Sequence, residues 1–269
     1  MIERILFPVD FSPRCAAMAA YVKRAAEMFE SRVTLVHVCD LTSNNGFELV
    51  ARTMREVAED HQAVAEDRLK SFLESGFPPD KCSRILRFGK AAAQIAELAK
   101  TGGFDLIIIP THAGRFRRML LGSTTAKVLN DADCPVMTTQ HAEAVIPRPL
   151  KHRVWVCAIG LSQDSERVLR LASHAAAAAG AKLVVVHATD EAAETDERRR
   201  LEELVKTVGC EAQACTAAGP VKQALLGEAR RWAADALIVG RAHRTGALGR
   251  MRDLTHSLVR DSPSPVLSV

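Results

Sequence analysis

The residues best placed to do chemistry stand together in LIIIPTHAGRFRRMLLGSTT, from Leu106 to Thr125. An apolar run breaks at Pro110, a short basic loop follows through Gly114, Arg115, Arg117 and Arg118, and Gly122-Ser123-Thr124 leads into a helical pattern. A strand, a glycine-containing loop and a helix start, in that order, form an anion site. The first amides of a helix have no partner inside it, and the helix dipole adds partial positive charge there. The chemistry expected is therefore the binding of a phosphate-bearing ligand at Ser123. The competing reading makes Ser123 a helix N-cap only, and the arginines a solvated loop.

Other chemistry lacks its residues. There is no Gly-x-Ser-x-Gly elbow, no Walker A pattern, no adenylation signature and no nucleophile beside a base, so turnover is not expected. The seven cysteines, Cys15, Cys39, Cys82, Cys134, Cys157, Cys210 and Cys215, are odd in number and never spaced as CxxC. That usage fits reduced, buried thiols better than a zinc site or a disulfide framework.

Composition narrows the partners. The chain has 269 residues, 48% hydrophobic and 25% charged, the balance of a globular protein. A net charge of +4 with only 4% aromatic residues leaves little material for a stacking platform on a basic groove, so nucleic acid is not expected. No apolar run approaches the roughly 20 residues of a membrane span, and MIERILFPVD enters a strand at once. The expectation is a cytoplasmic protein with neither signal peptide nor membrane contact.

The elements that must position the anion site alternate along the chain. Ile5–Val9 is a short apolar run ending at Asp10, and Ser12-Pro13 supplies an N-cap with proline at the first helical position. The helix to Phe29 places Ala16, Ala20, Val22, Ala26 and Phe29 at helical spacing. Val33–Val38 is nearly continuous in β-branched and apolar residues, as in a parallel strand buried on both faces. A long charged helix is predicted over Phe47–Glu74, then a strand at Cys82–Phe88 and a helix from Gly89 to Lys100. A strand at Phe104–Ile109, a helix at Ser123–Asn130 and a strand at Cys134–Thr139 complete the set. Such alternation indicates a parallel α/β domain.

The pattern then repeats. SRVTLVHVCD at Ser31 returns as AKLVVVHATD at Ala181, and FDLIIIPTHAG at Phe104 returns as ADALIVGRAHR at Ala234. TTAKVLNDADCPVMTT, ending at Thr139, matches LTHSLVRDSPSPVLSV, ending at Val269. The offset falls from 150 to 130 between the first match and the others, which shortens the helix after the second strand in the second copy. The chain is thus a tandem duplication: domain 1 over residues 1–140, a linker over 141–150 with two prolines, and domain 2 over 151–269. His37 and His187 fall at equivalent points of the second strand, which favours a structural imidazole with a backbone partner over catalysis. His112 and His243 lie in equivalent loops after the fourth strand.

ILFPVDFS, the TLVHV strand and FDLIIIPTHAG…LLGSTTAKVL…DADCPV together resemble the universal stress protein family, and the likeness extends to both halves. The resemblance implies two five-stranded parallel sheets of order 3-2-1-4-5 with helices on both faces. It also implies that the two domains pair about a pseudo-twofold axis, as paired family monomers do, through their fifth strands. In that order strand 1 and strand 4 adjoin where the winding reverses, the usual ligand crevice of an open α/β sheet. Family members that bind ATP use a strand-1 aspartate, a backbone group after strand 2, and a G-x2-G-x9-G-[ST] loop. Asp10 and Val38 match the first two, and Gly122, Ser123 and Thr124 match the phosphate end. The loop departs upstream: Pro110, followed by Thr111, stands at the first glycine, and Ala113 or Gly114 at the second. Eight residues separate Ala113 from Gly122, so the loop is shortened. In the second copy Gly160 replaces Asp10, and Asp253-Leu254 stands near the place of a Gly-Ser pair, where acid would oppose phosphate or simply cap the helix in its absence. The resemblance therefore implies one adenine-nucleotide site, in the N-terminal half, with ATP and its accompanying magnesium as cofactor and no other metal. A homodimer and an unidentified protein partner are the further partners expected. Three functions remain open: a nucleotide-binding stress protein, a scaffold of the same fold without nucleotide, and a slow ATPase or nucleotidyl transferase.

Overall fold

A computed structural model describes residues 2–39, 62–111, 121–139, 152–190, 194–241 and 248–269. The first repeat comprises β1 (Arg4–Pro8), α1 (Pro13–Phe29), β2 (Arg32–Cys39), α2 (helical over 62–71), β3 (Cys82–Phe88), α3 (Ala91–Thr101), β4 (Leu106–Pro110), α4 (Ser123–Asp131) and β5 (Val136–Thr139). The second comprises β6 (Val154–Ala158), α5 (Ser165–Ala179), β7 (Lys182–Thr189), α6 (Glu194–Val208), β8 (Ala212–Ala218), α7 (Val221–Arg231), β9 (Ala236–Val239), α8 (Leu248–Asp261) and β10 (Val266–Ser268).

These elements form two compact units. One holds Ile2–Pro110 and Ser123–Cys134; the other holds Pro135–Val269 together with Thr111 and Gly122. Within the first unit the strands run β3-β2-β1-β4, all parallel. Within the second they run β8-β7-β6-β9-β10, also all parallel, which is the complete 3-2-1-4-5 order. β5, the last strand of the first repeat, pairs antiparallel with β10, Thr138 opposite Val266 and Val136 opposite Ser268. The two fifth strands therefore meet, as the family resemblance implied. The linker proposed over 141–150 lies outside the described residues.

Burial follows the strand composition. Val33–Val36 of β2 and all five residues of β4 are buried, because helices of a parallel sheet leave no face to water. Both repeats pin the start of strand 4 to the start of strand 1 with one carboxylate. Asp105 Oδ2 accepts from the Glu3 and Arg4 amides at 2.8 and 2.9 Å, and Asp235 Oδ2 from the Arg153 and Val154 amides at 2.7 and 3.1 Å.

Two local expectations need correction. The buried stripe of α1 is Cys15, Met18, Val22 and Ala25; Ala20 is exposed, and Ala16, Ala26 and Phe29 are only half-buried. Alanine carries too little apolar surface to choose a face, and the larger Cys15, Met18 and Val22 set it instead. The helix expected to reach Glu74 ends at 71, where Leu73 turns to a positive φ of 55°. Its portion over 47–61 lies outside the described residues. No described helix is long and apolar enough to cross a membrane.

Candidate functional site

The site begins at the C-terminal ends of β1, β2 and β4. β1 lies between β2 and β4, with Pro8 opposite Val36 and Leu6 opposite Ile107, so this is the point where strand order reverses. Asp10 follows β1 and is exposed, its Oδ1 accepting from the Ser12 amide at 3.0 Å. Ser12 in turn caps α1: its Oγ accepts from the Cys15 amide at 3.2 Å, and Pro13 takes the first helical position. Val38 is half-buried near the end of β2, opposite Arg87.

On the β4 side, α4 starts at Ser123, which is exposed, and Thr124 is half-buried. The fully buried Thr125 donates its Oγ1 hydrogen to the Pro110 carbonyl at 2.9 Å. That bond fixes the first turn of α4 at the end of β4, which brings the positive dipole end of the helix beside the strand terminus. Asp10, Val38, Pro110, Ser123 and Thr124 thus belong to one unit. Thr111 and Gly122 fall in the other, where Thr111 is buried and its Oγ1 donates to the Thr139 carbonyl at 3.0 Å. Ala113, Gly114, His112, His243 and the arginines at 115, 117 and 118 lie outside the described residues.

Sequence reasoning missed an aromatic stack next to Asp10. Phe11 has a positive φ of 61°, and its ring lies 4.3 Å from His37 and 5.2 Å, edge-on, from Phe72. The Arg68 guanidinium sits 4.6 Å over the same ring. A left-handed phenylalanine costs on the order of 1–2 kcal/mol, which ring contacts of this kind offset. The only hint in the sequence is a large ring placed directly after the strand-end aspartate.

The two strand-2 histidines are structural, as their equivalence suggested. His37 Nδ1 lies 2.7 Å from the Val9 carbonyl, and His187 Nδ1 lies 2.7 Å from the Ile159 carbonyl. His187 Nε2 additionally stands 3.3 Å from Glu197, whose carboxyl is held below the usual glutamate range by the Thr189 hydroxyl first and then by His187. The cysteines are free thiols. Burial pushes Cys15 up to about 12 and raises Cys157 as well, so neither is a ready nucleophile. Among the described residues no group of three or more His, Cys, Asp or Glu side chains could hold a metal.

Comparison with known proteins gives consistent matches. The model of the universal stress protein family matches residues 1–140. Universal stress protein G of Shigella flexneri is 25% identical over 142 residues, covering 52% of this chain and 100% of its own. A universal stress protein of Mycobacterium tuberculosis is 27% identical over 190 residues, 68% of this chain and 63% of its own. A crystal structure of a universal stress protein from Archaeoglobus fulgidus is 22% identical and superposes with a TM-score of 0.77 over 100% of this chain and 98% of that one. That last likeness bears on the fold of the whole chain, both repeats included.

Proposed function

Since the chain belongs to the universal stress protein family, we propose that it binds an adenine nucleotide, ATP with its magnesium, in the N-terminal half and acts through binding rather than catalysis. One observation carries the reading. The start of α4 is tied by Thr125 to Pro110 at the end of β4, and β4 adjoins the strand that ends at Asp10. A phosphate group at the Ser123 end would meet unpaired amides and a helix dipole. Asp10 would serve the nucleoside end beside Val38. Magnesium would be held mainly by the phosphates, as it commonly is with nucleotides. Ligand-dependent preference for one conformation or one protein partner, a second copy of the chain included, then transmits the signal.

A second reading, a scaffold without nucleotide, is favoured by the hydrogen bond from the Ser12 amide to Asp10, which gives that carboxylate a capping role of its own. Calorimetric titration of the full chain with magnesium ATP separates the two. Under the nucleotide reading Asp10→Ala and Ser123→Asp each weaken binding by roughly tenfold or more, the worth of one charge-assisted hydrogen bond. Gly160→Ala leaves it unchanged. No heat at millimolar ATP sinks the nucleotide reading, and hydrolysis above the buffer rate would restore the enzyme alternative.

A further inference from the structure

The second repeat replaces residues of the first-repeat crevice and lines a cavity at the equivalent place. A cavity of about 250 Å³ lies at the C-terminal ends of β6 and β9, entirely within the second unit. Gly160 stands at the position of Asp10, and a Cβ built on it meets nothing within 4 Å. Leu161 stands at the position of Phe11, with a similar φ of 50°, but brings no ring to lie on the strand-2 histidine. His187, which Glu197 contacts where Phe11 lies on His37 in the first repeat, lines the cavity.

The wall has a definite chemistry. Most of it is aliphatic, from Val168, Val239, Leu225, Leu254 and Leu258. Among the described residues no Phe, Tyr or Trp lines it to stack on a flat base. Among the described lining residues Arg241 is the arginine, only 7% exposed, at the position equivalent to Thr111, and its main-chain amide donates to Val269 O at 2.7 Å. His187 is engaged on both sides, by the Ile159 carbonyl and by Glu197. Asp164 also lines the cavity and repels anions in proportion to their charge, a polyanion more than a monoanion. The volume falls below the roughly 300–1,000 Å³ of drug-sized ligand sites. One guanidinium in a low-dielectric wall pairs strongly with one planar carboxylate, and aliphatic surface receives an apolar body.

We propose that this cavity is a binding site for a small aliphatic monocarboxylic acid, its carboxylate on Arg241 and its chain against Val168, Leu225 and Leu258. The duplicated crevice has in this view changed its ligand class instead of merely losing one. The site is independent of the nucleotide reading, since it shares no residue with it.

Calorimetric titration of the full chain with sodium octanoate, 1-octanol and magnesium ATP tests it. Octanoate is expected to bind one per chain, at least about tenfold tighter than octanol, which lacks the charge. Gly160→Val, whose methyls enter the open space, is expected to weaken octanoate about tenfold or more while leaving any ATP heat unchanged. Arg241→Gln is expected to abolish the preference for octanoate over octanol. Should that variant fail to fold, the wild-type octanoate-to-octanol ratio and the Gly160→Val result decide. The proposal is overturned by absence of octanoate binding at millimolar concentration, by equal binding of octanol, by octanoate binding indifferent to Gly160→Val, or by ATP displacing octanoate. Loss of ATP binding in Asp10→Ala with octanoate unaffected would separate the two sites cleanly.

Discussion

Individual side chains show how one duplicated frame has been put to different uses. Both strand-2 imidazoles bond the carbonyl of the residue directly after their repeat's first strand, Val9 for His37 and Ile159 for His187. Their outer faces differ: Phe11 lies on His37, whereas Glu197 reaches His187 and also accepts from the Thr189 hydroxyl. These partners favour the ionised carboxylate, so Glu197 titrates below an ordinary glutamate. A carboxyl with a depressed native value stabilises the fold above its unfolded value, and the benefit is lost as pH falls through the native one. Glu197→Gln should therefore lower the melting temperature at neutral pH and narrow its gap to wild type on acidification below the usual glutamate range. A gap that stays constant down to acid pH would show that the carboxylate charge contributes nothing.

At the scale of elements, the candidate site depends on how each strand is joined to its helix. β4 is reached from α3 through Gly102 and Gly103, and a Cβ on Gly102 would stand 2.6 Å from the Phe104 ring and 2.8 Å from the Leu98 carbonyl. Neither neighbour can yield easily, since Phe104 is buried and the carbonyl belongs to the helix end. Gly102→Ala is expected to cost about 1–3 kcal/mol by overpacking, read as a lower urea midpoint at unchanged slope. Because that joint feeds β4, nucleotide affinity should fall with it if Ser123 holds phosphate. An unchanged midpoint would mean that the joint relaxes freely. The second repeat makes the same turn with Trp232 and Ala233, whose φ of 47° keeps the left-handed step without glycine.

For the molecule as a whole, the division into compact units does not follow the repeat boundary. β5 comes from the first repeat but pairs with β10, and Thr138 Oγ1 donates to the Val266 carbonyl at 3.4 Å. Thr138→Pro removes an amide from the strand that borders β10 and is expected to raise hydrogen exchange at Val266–Ser268 roughly tenfold, equivalent to ~1.4 kcal/mol. If exchange in β10 is untouched, the second repeat is self-sufficient and β5 is dispensable to it.

Periodicity and repetition within the sequence were enough to specify the α/β class, the tandem copies, the strands and the two structural histidines, because each follows from local pattern. Buried β-branched runs dictate parallel strands whatever surrounds them, and an N-cap serine before proline starts a helix in any context. The start of α4 at Ser123 was legible for the same reason. The buried face of α1 was not, since alanines fit either side and packing against β2 and β4 selected Cys15, Met18 and Val22. Nor were the stack of Phe11 on His37, Phe72 and Arg68 and the cavity beside Arg241. Both join residues far apart in the chain, and only the tertiary arrangement brings them within reach. Replacement of Asp10 by Gly160 reads in sequence as loss of a ligand; in three dimensions it is also gain of space.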